Sequence, residues 1–232
     1  MDKSAAWTLL AIVAVVASMV TAGGAYYALN RPGGVQGPQV VASFYPYQFF
    51  ASRVAGDRFS VQTLVPPGVE PHDWEPTPRD SLTMAVAAAF VYNGYVEAYV
   101  ANFFRELQAD RPVRVNASAG LDMILGGEGG AVSVDPHLWL DPVRMQAAVT
   151  TIAAGLAKAD PAGKATFEAN AAKLRQDLER IHTLFAAGLQ TCGRRVFITQ
   201  HEAFSYLAQR YNLTQYAIHG LSPDQEPTPA KI

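Results

Sequence analysis

The sequence predicts an α/β fold of two lobes with parallel sheets, joined by a long connecting helix and preceded by a transmembrane helix. Three observations carry this reading. Short apolar runs alternate with amphipathic stretches from residue 39 to about 118, the strand signal disappears between Pro142 and Gln190, and the alternation resumes at Arg194. A strand that returns to its own sheet through a helix does so in parallel, so the alternation implies parallel sheets.

The N-terminus comes first. From Ser4 to Asn30 no side chain is charged, and about 20 helical residues suffice to cross a bilayer core. The stretch is longer than the apolar region of a secretory signal and ends in Tyr26 and Tyr27, which suit a membrane interface. Residues 1–30 therefore read as an uncleaved membrane anchor in preference to a cleaved signal, with the body outside the cytoplasm. No cysteine lies near its end to carry a lipid. Residues 31–38 (RPGGVQGP) are rich in Gly and Pro without periodicity, as a tether is.

The folded body starts at Gln39. QVVASF (39–44), SVQTLV (60–65), AAFVYNG (88–94) and VRVNAS (113–118) read as strands. Between them YQFFASRVAG closes on Gly56, as a helix with a C′ glycine does, and RDSLTMAVAA (79–88) and VEAYVANFFRELQA (96–109) have helical spacing. Asp141-Pro142 supplies an N-cap and a proline at N1 for the helix that follows. The next helical stretch, after KADPAGK, places Phe167, Leu174, Leu178, Ile181, Leu184 and Phe185 on one face. It is long enough, at about 40 Å, to run between two lobes. RRVFITQ (194–200), HEAFSYLAQRY and LTQYAIHG (213–220) then read as strand, helix and strand. The domains are thus an anchor (1–30), a linker (31–38), a first lobe (39–141), connecting helices (142–190) and a partial second lobe (191–232).

Composition excludes some functions. Eighteen basic against 20 acidic residues give a net charge of −2 without clustered Lys or Arg, which argues against nucleic acid as a partner. The single cysteine, Cys192, excludes an internal disulfide and a multi-cysteine zinc site.

Five histidines remain to be placed. His72 (PHDWEPTP) follows the second strand, His137 (DPHLWLDP) follows the fourth, and His201 follows VFITQ. Ligands of open α/β sheets collect at the carboxyl ends of the strands, so these three loop histidines can converge there. Neutral imidazole is a common zinc ligand, and prolines stiffen the loops that present it. His182, within a helix, and His219 read as structural. Asp73, Asp135 and Glu202 read as caps, turn formers or groups that orient a ligand. Trp74 and Trp139 read either as an apolar wall around the site or as ordinary packing residues.

PHDWEPTP, FVYNGYVEAY, DPHLWLDP, FITQHEAFSYLAQRY and GLSPDQEPTPAKI occur in that order. Together they resemble the solute-binding proteins of zinc and manganese ABC importers, over residues 39–232. The resemblance implies a periplasmic-binding-protein-like fold, a rigid connecting helix and a divalent ion held in the cleft by His72, His137 and His201. It implies no enzyme but a monomeric, extracytoplasmic binding component that captures Zn2+, with Mn2+ as the alternative ion, and passes it to a membrane permease. A histidine at the third position leans toward zinc, in keeping with nitrogen donors. Two departures stand out. The family's fourth ligand, a carboxylate, comes from a region beyond Ile232, so the second lobe is expected to be incomplete. GGEGG (126–130) stands where many zinc-type members have a His-rich loop. Rival readings are a zinc hydrolase, with Glu70 or Glu202 as its base, and a surface adhesin.

Overall fold

The computed structural model describes residues 39–107, 110–126 and 133–224. The predicted anchor and linker, residues 1–38, lie outside the described residues. No helix among the described residues is long and apolar enough to cross a membrane.

Four strands, β1 (Gln39–Ala42), β2 (Ser60–Thr63), β3 (Ala89–Tyr92) and β4 (Val113–Asn116), form one sheet in the order β2-β1-β3-β4, every pair parallel. The pleat sends Val40, Ala42, Ala89, Val91 and Val115 into one core and Val41 and Phe90 into another. Helices α1 (Tyr45–Ala55), α4 (Pro142–Ala159) and α5 (Lys164–Gln190) cover the first face, and α2 (Pro78–Val86) and α3 (Val100–Leu107) cover the second. Helices lie on both faces, and the two central strands β1 and β3 are buried almost throughout, which explains why they read as apolar runs.

Two glycines matter to this packing. Gly56 ends α1 at φ +55°, a conformation that a side chain would strain. A Cβ on Gly155 would fall 2.4 Å from a methyl of Val115, so this glycine lets α4 lie close against β4.

The long helix α5 has 27 residues. Its first half buries Phe167, Ala171, Leu174 and Leu178 in the core on the first face of the four-stranded sheet. Its second half leaves Ile181, Leu184 and Phe185 at 43%, 72% and 43% exposure, and one ring packs against it. That ring is Tyr211, stacked on Phe185 at 5.4 Å and on His182 at 5.8 Å. Beyond α5, β7 (Val196–Thr199) and β8 (Thr214–Ala217) pair in parallel through α6 (Ser205–Arg210), as a sheet separate from the first. The predicted α/β alternation, parallel pairing and long helix are all present.

The structure corrects the sequence reading in three places. A short antiparallel pair, β5 (Leu125–Gly126) and β6 (Ser133–Val134), brackets the Gly-rich stretch that reads as loop. The helix expected from residue 96 begins at Val100, because Asn93 Oδ1 accepts the N–H groups of Tyr95 and Val96 and folds that segment into a turn. The helix expected at His201 begins only at Ser205. The His201 carbonyl instead accepts the Thr199 hydroxyl at 2.8 Å and the Gln215 amide at 3.0 Å, which holds it outside the helical ladder.

Candidate metal centre

The three predicted histidines come together. His72, His137 and His201 each offer a ring nitrogen, and these atoms all lie within 4.8 Å of one another. Each arrives by a different route. Leu64 and Val65 continue the pairing of β2 beside β1, and the chain then turns at Pro66-Pro67-Gly68 to present His72. A capping box between Thr77 and Asp80 closes that loop where α2 begins. His137 sits between β6 and a single 3-10 turn at Leu138–Leu140, and His201 follows β7.

His137 is the fixed member. It is 1% exposed, and Asp135 Oδ1 lies 2.8 Å from its Nδ1 and accepts its backbone N–H at 2.9 Å. With its proton on Nδ1 toward the carboxylate, the Nε2 lone pair faces the cleft. Asn93, fully buried, donates to the Pro136 carbonyl at 2.9 Å and to the Tyr47 hydroxyl. Glu97 in turn accepts the N–H groups of Asn93 and Gly94, and burial raises its pKa. Trp139 stands 5.1 Å from the His137 ring and 5.1 Å from Phe44.

The spacing of His72 and His137 suits an ion. Their Nε2 atoms are 3.2 Å apart. Two nitrogens bound to one tetrahedral zinc at ~2.0–2.1 Å stand about 3.3 Å from each other. Protons are disfavoured at the same place. Burial first, and His137 second, lower the pKa of His72 to about 4, and the same two causes lower that of His201.

An imidazole binds metal only when neutral, and a lowered pKa keeps it neutral to more acid pH. Three unperturbed imidazoles of pKa ~6.5 would together weaken binding about a thousandfold at pH 5.5. Zinc titrations at pH 7.5 and 5.5 are expected to show a smaller drop than that. A full thousandfold loss by pH 5.5 would contradict the shielding of His72 and His201.

The other candidates fall elsewhere. His182 packs on Tyr211, with Nδ1 3.3 Å from its hydroxyl, and His219 donates its backbone N–H to Gln200. Asp73 shares a hydrogen bond with Asp224, which raises its pKa. Glu70 accepts the backbone N–H of His72 at 3.2 Å, and Glu202 donates its own to Gly220. The two Pro-His-x-Trp stretches do different jobs, since Trp139 backs His137 while Trp74 packs against Tyr99 at 5.5 Å. Sequence reasoning missed Tyr47, Asn93 and Glu97 as supports of His137. Only the Asn-Gly stop after the third strand pointed to that corner.

Known proteins share both fold and sequence. Residues 40–232 match the family model described as zinc-uptake complex component A, periplasmic. The high-affinity zinc uptake system protein ZnuA of Bacillus subtilis is 39% identical over 205 residues, which cover 83% of this chain and 64% of that protein. The chain thus spans less than two thirds of that relative. The crystal structure of the Zn(II)-bound ZnuA-like domain of Streptococcus pneumoniae AdcA is 38% identical, with a TM-score of 0.73 over 84% of this chain and 72% of that one. The laminin-binding protein Lbp of Streptococcus pyogenes is 30% identical, with a TM-score of 0.72 over 85% and 72% of the two chains. These matches, over a parallel α/β fold in which three histidines meet, place the chain in the family of periplasmic zinc-uptake components, the ZnuA family.

Proposed function

We propose that this chain captures a zinc ion with His72, His137 and His201 and hands it to an importing permease in the membrane. The observation that carries this reading is the meeting of three imidazoles from distant parts of the sequence, two of them at the N–N spacing of a zinc site. Family membership and the Zn(II)-bound relative support zinc as the cargo. An all-nitrogen donor set favours zinc over manganese, which prefers oxygen. Residues 39–141 and 191–232 form the two walls of the site, with 142–190 connecting them, and the chain acts as a monomer outside the cytoplasm. Residues 1–30 anchor it and 31–38 tether it, since no side chain from Ser4 to Asn30 is charged and that stretch is of spanning length.

Zinc content of the wild type beside His72→Ala and His201→Ala tests this. One zinc per wild-type chain is expected to survive dialysis against a chelator, and both variants, binding more weakly, are expected to retain less, whereas stoichiometric zinc in both variants after that dialysis would defeat the assignment. The laminin-binding relative supports a second reading, a surface adhesin. It predicts partner binding that survives removal of the ion.

A further inference from the structure

We infer that Tyr206 and Arg210 are positioning residues that lock His201 to His137 by bonding both ends of the loop that carries His137. The inference rests on the proposed three-histidine site. Tyr206 and Arg210 stand four residues apart, on one side of the short helix α6. The Tyr206 hydroxyl, on a fully buried ring, donates to the Asp135 carbonyl at 2.6 Å and accepts the Ile124 N–H at 3.0 Å. Arg210 forks onto the buried Asp141 carboxylate, with Nη2 2.8 Å from Oδ2 and Nε 3.1 Å from Oδ1. Asp135 and Asp141 flank His137 on either side.

His201 is equally fixed to α6 from its own side. The His201 carbonyl accepts from Thr199 and Gln215, and Gln215 Oε1 accepts the N–H of Phe204 at the start of α6. An unbroken series of bonds therefore runs from His201 through Gln215 and α6 to the two ends of the His137 loop. The two lobes meet at this latch, so the distance between the second and third imidazoles is set where Tyr206 and Arg210 make contact. Arg144 reinforces it, with its guanidinium 4.8 Å over the Tyr206 ring and bonded to Asp141 at 2.7 Å.

A latch that acts through His201 has a signature that plain destabilisation lacks. Zinc affinity is measured by competition titration for the wild type, Tyr206→Phe and Arg210→Met, and for the same two changes in a His201→Ala background. Each change is expected to weaken zinc binding about 10–100-fold in the wild type, the usual range for a group that orients a ligand. In the His201→Ala background each is expected to alter affinity less than twofold, because the imidazole they position is gone. Equal losses in both backgrounds, or no loss in either, would overturn the inference. Tyr206→Phe keeps the buried ring, so it decides the matter if Arg210→Met fails to fold. A wild type that binds no zinc removes the proposed function and the latch together. A wild type weakened by His201→Ala yet indifferent to both latch changes removes the latch alone.

Discussion

Replacing His137 with alanine is expected to abolish stoichiometric zinc binding, with a loss larger than the ~10–100-fold that removal of an orienting neighbour costs. His137 is the buried centre of the site, 3.2 Å from the His72 nitrogen and with its ring centroid 5.3 Å from that of His201. Asp135 and the Asn93–Pro136 contact fix its ring and loop before any ion arrives, so little ordering remains to be done on binding. Its removal deprives the site of the pre-oriented lone pair and also leaves the buried Asp135 carboxylate short of one donor. The metal-free protein is therefore expected to lose about 1–3 kcal/mol of stability as well. Calorimetry of zinc binding and thermal unfolding of the metal-free variant separate the two effects. Wild-type zinc affinity in His137→Ala would contradict the assignment.

The second large effect is expected at Asp141. Its carboxylate is fully buried between Arg144 and Arg210 and caps α4 through the N–H of Val143 at 2.9 Å. Burial alone would raise its pKa, but the bonds from Arg210, Arg144 and the Val143 N–H, with the Arg210 charge, hold it below the ordinary carboxylate value. Asparagine caps a helix as well as aspartate does, so Asp141→Asn removes the charge and keeps the cap. The two arginine side chains are 18% and 28% exposed, and water can partly serve them once unpaired. The expected loss is therefore near the lower end of the ~3–5 kcal/mol that breaking a buried ion pair costs.

The pH dependence has a definite sign. A carboxyl whose folded pKa lies below its unfolded value of ~3.9 contributes stability that is present above that pH and fades as pH falls through the folded pKa. The gap between wild type and Asp141→Asn should thus be constant from pH 7 to 5 and shrink below about 4. Chemical denaturation across that range checks it, and a gap that widens in acid would contradict the ion pair.

Much of the four-stranded sheet was legible because its central strands are buried on both faces, which makes short apolar runs stand out. Asp141 and Pro142 announced α4, and Gly56 announced the end of α1, since each supplies a backbone need that few residues meet. The starts of α3 and α6 were not legible. They are set by side chains distant from the helix pattern, Asn93 in one case and Gln215 in the other. The same division holds at the site. His72, His137 and His201 could be read from their places at strand ends, but the groups that aim them could not. Tyr47 and Asn93 lie 46 residues apart, Tyr206 and Arg210 lie 71 and 69 residues from their partners Asp135 and Asp141, and all four look like ordinary packing or surface residues in sequence. Trp74 and Trp139 show the limit of motif symmetry, since an identical Pro-His-x-Trp spelling delivers one ring to the site and the other to the core.

X-ray absorption at the zinc edge of the loaded protein counts the imidazoles bound to the ion. Three imidazole nitrogens at ~2.0–2.1 Å, falling to two in His201→Ala, are predicted. A zinc shell with fewer than two imidazoles in the wild type, or one unchanged by loss of His201, would contradict the three-histidine site.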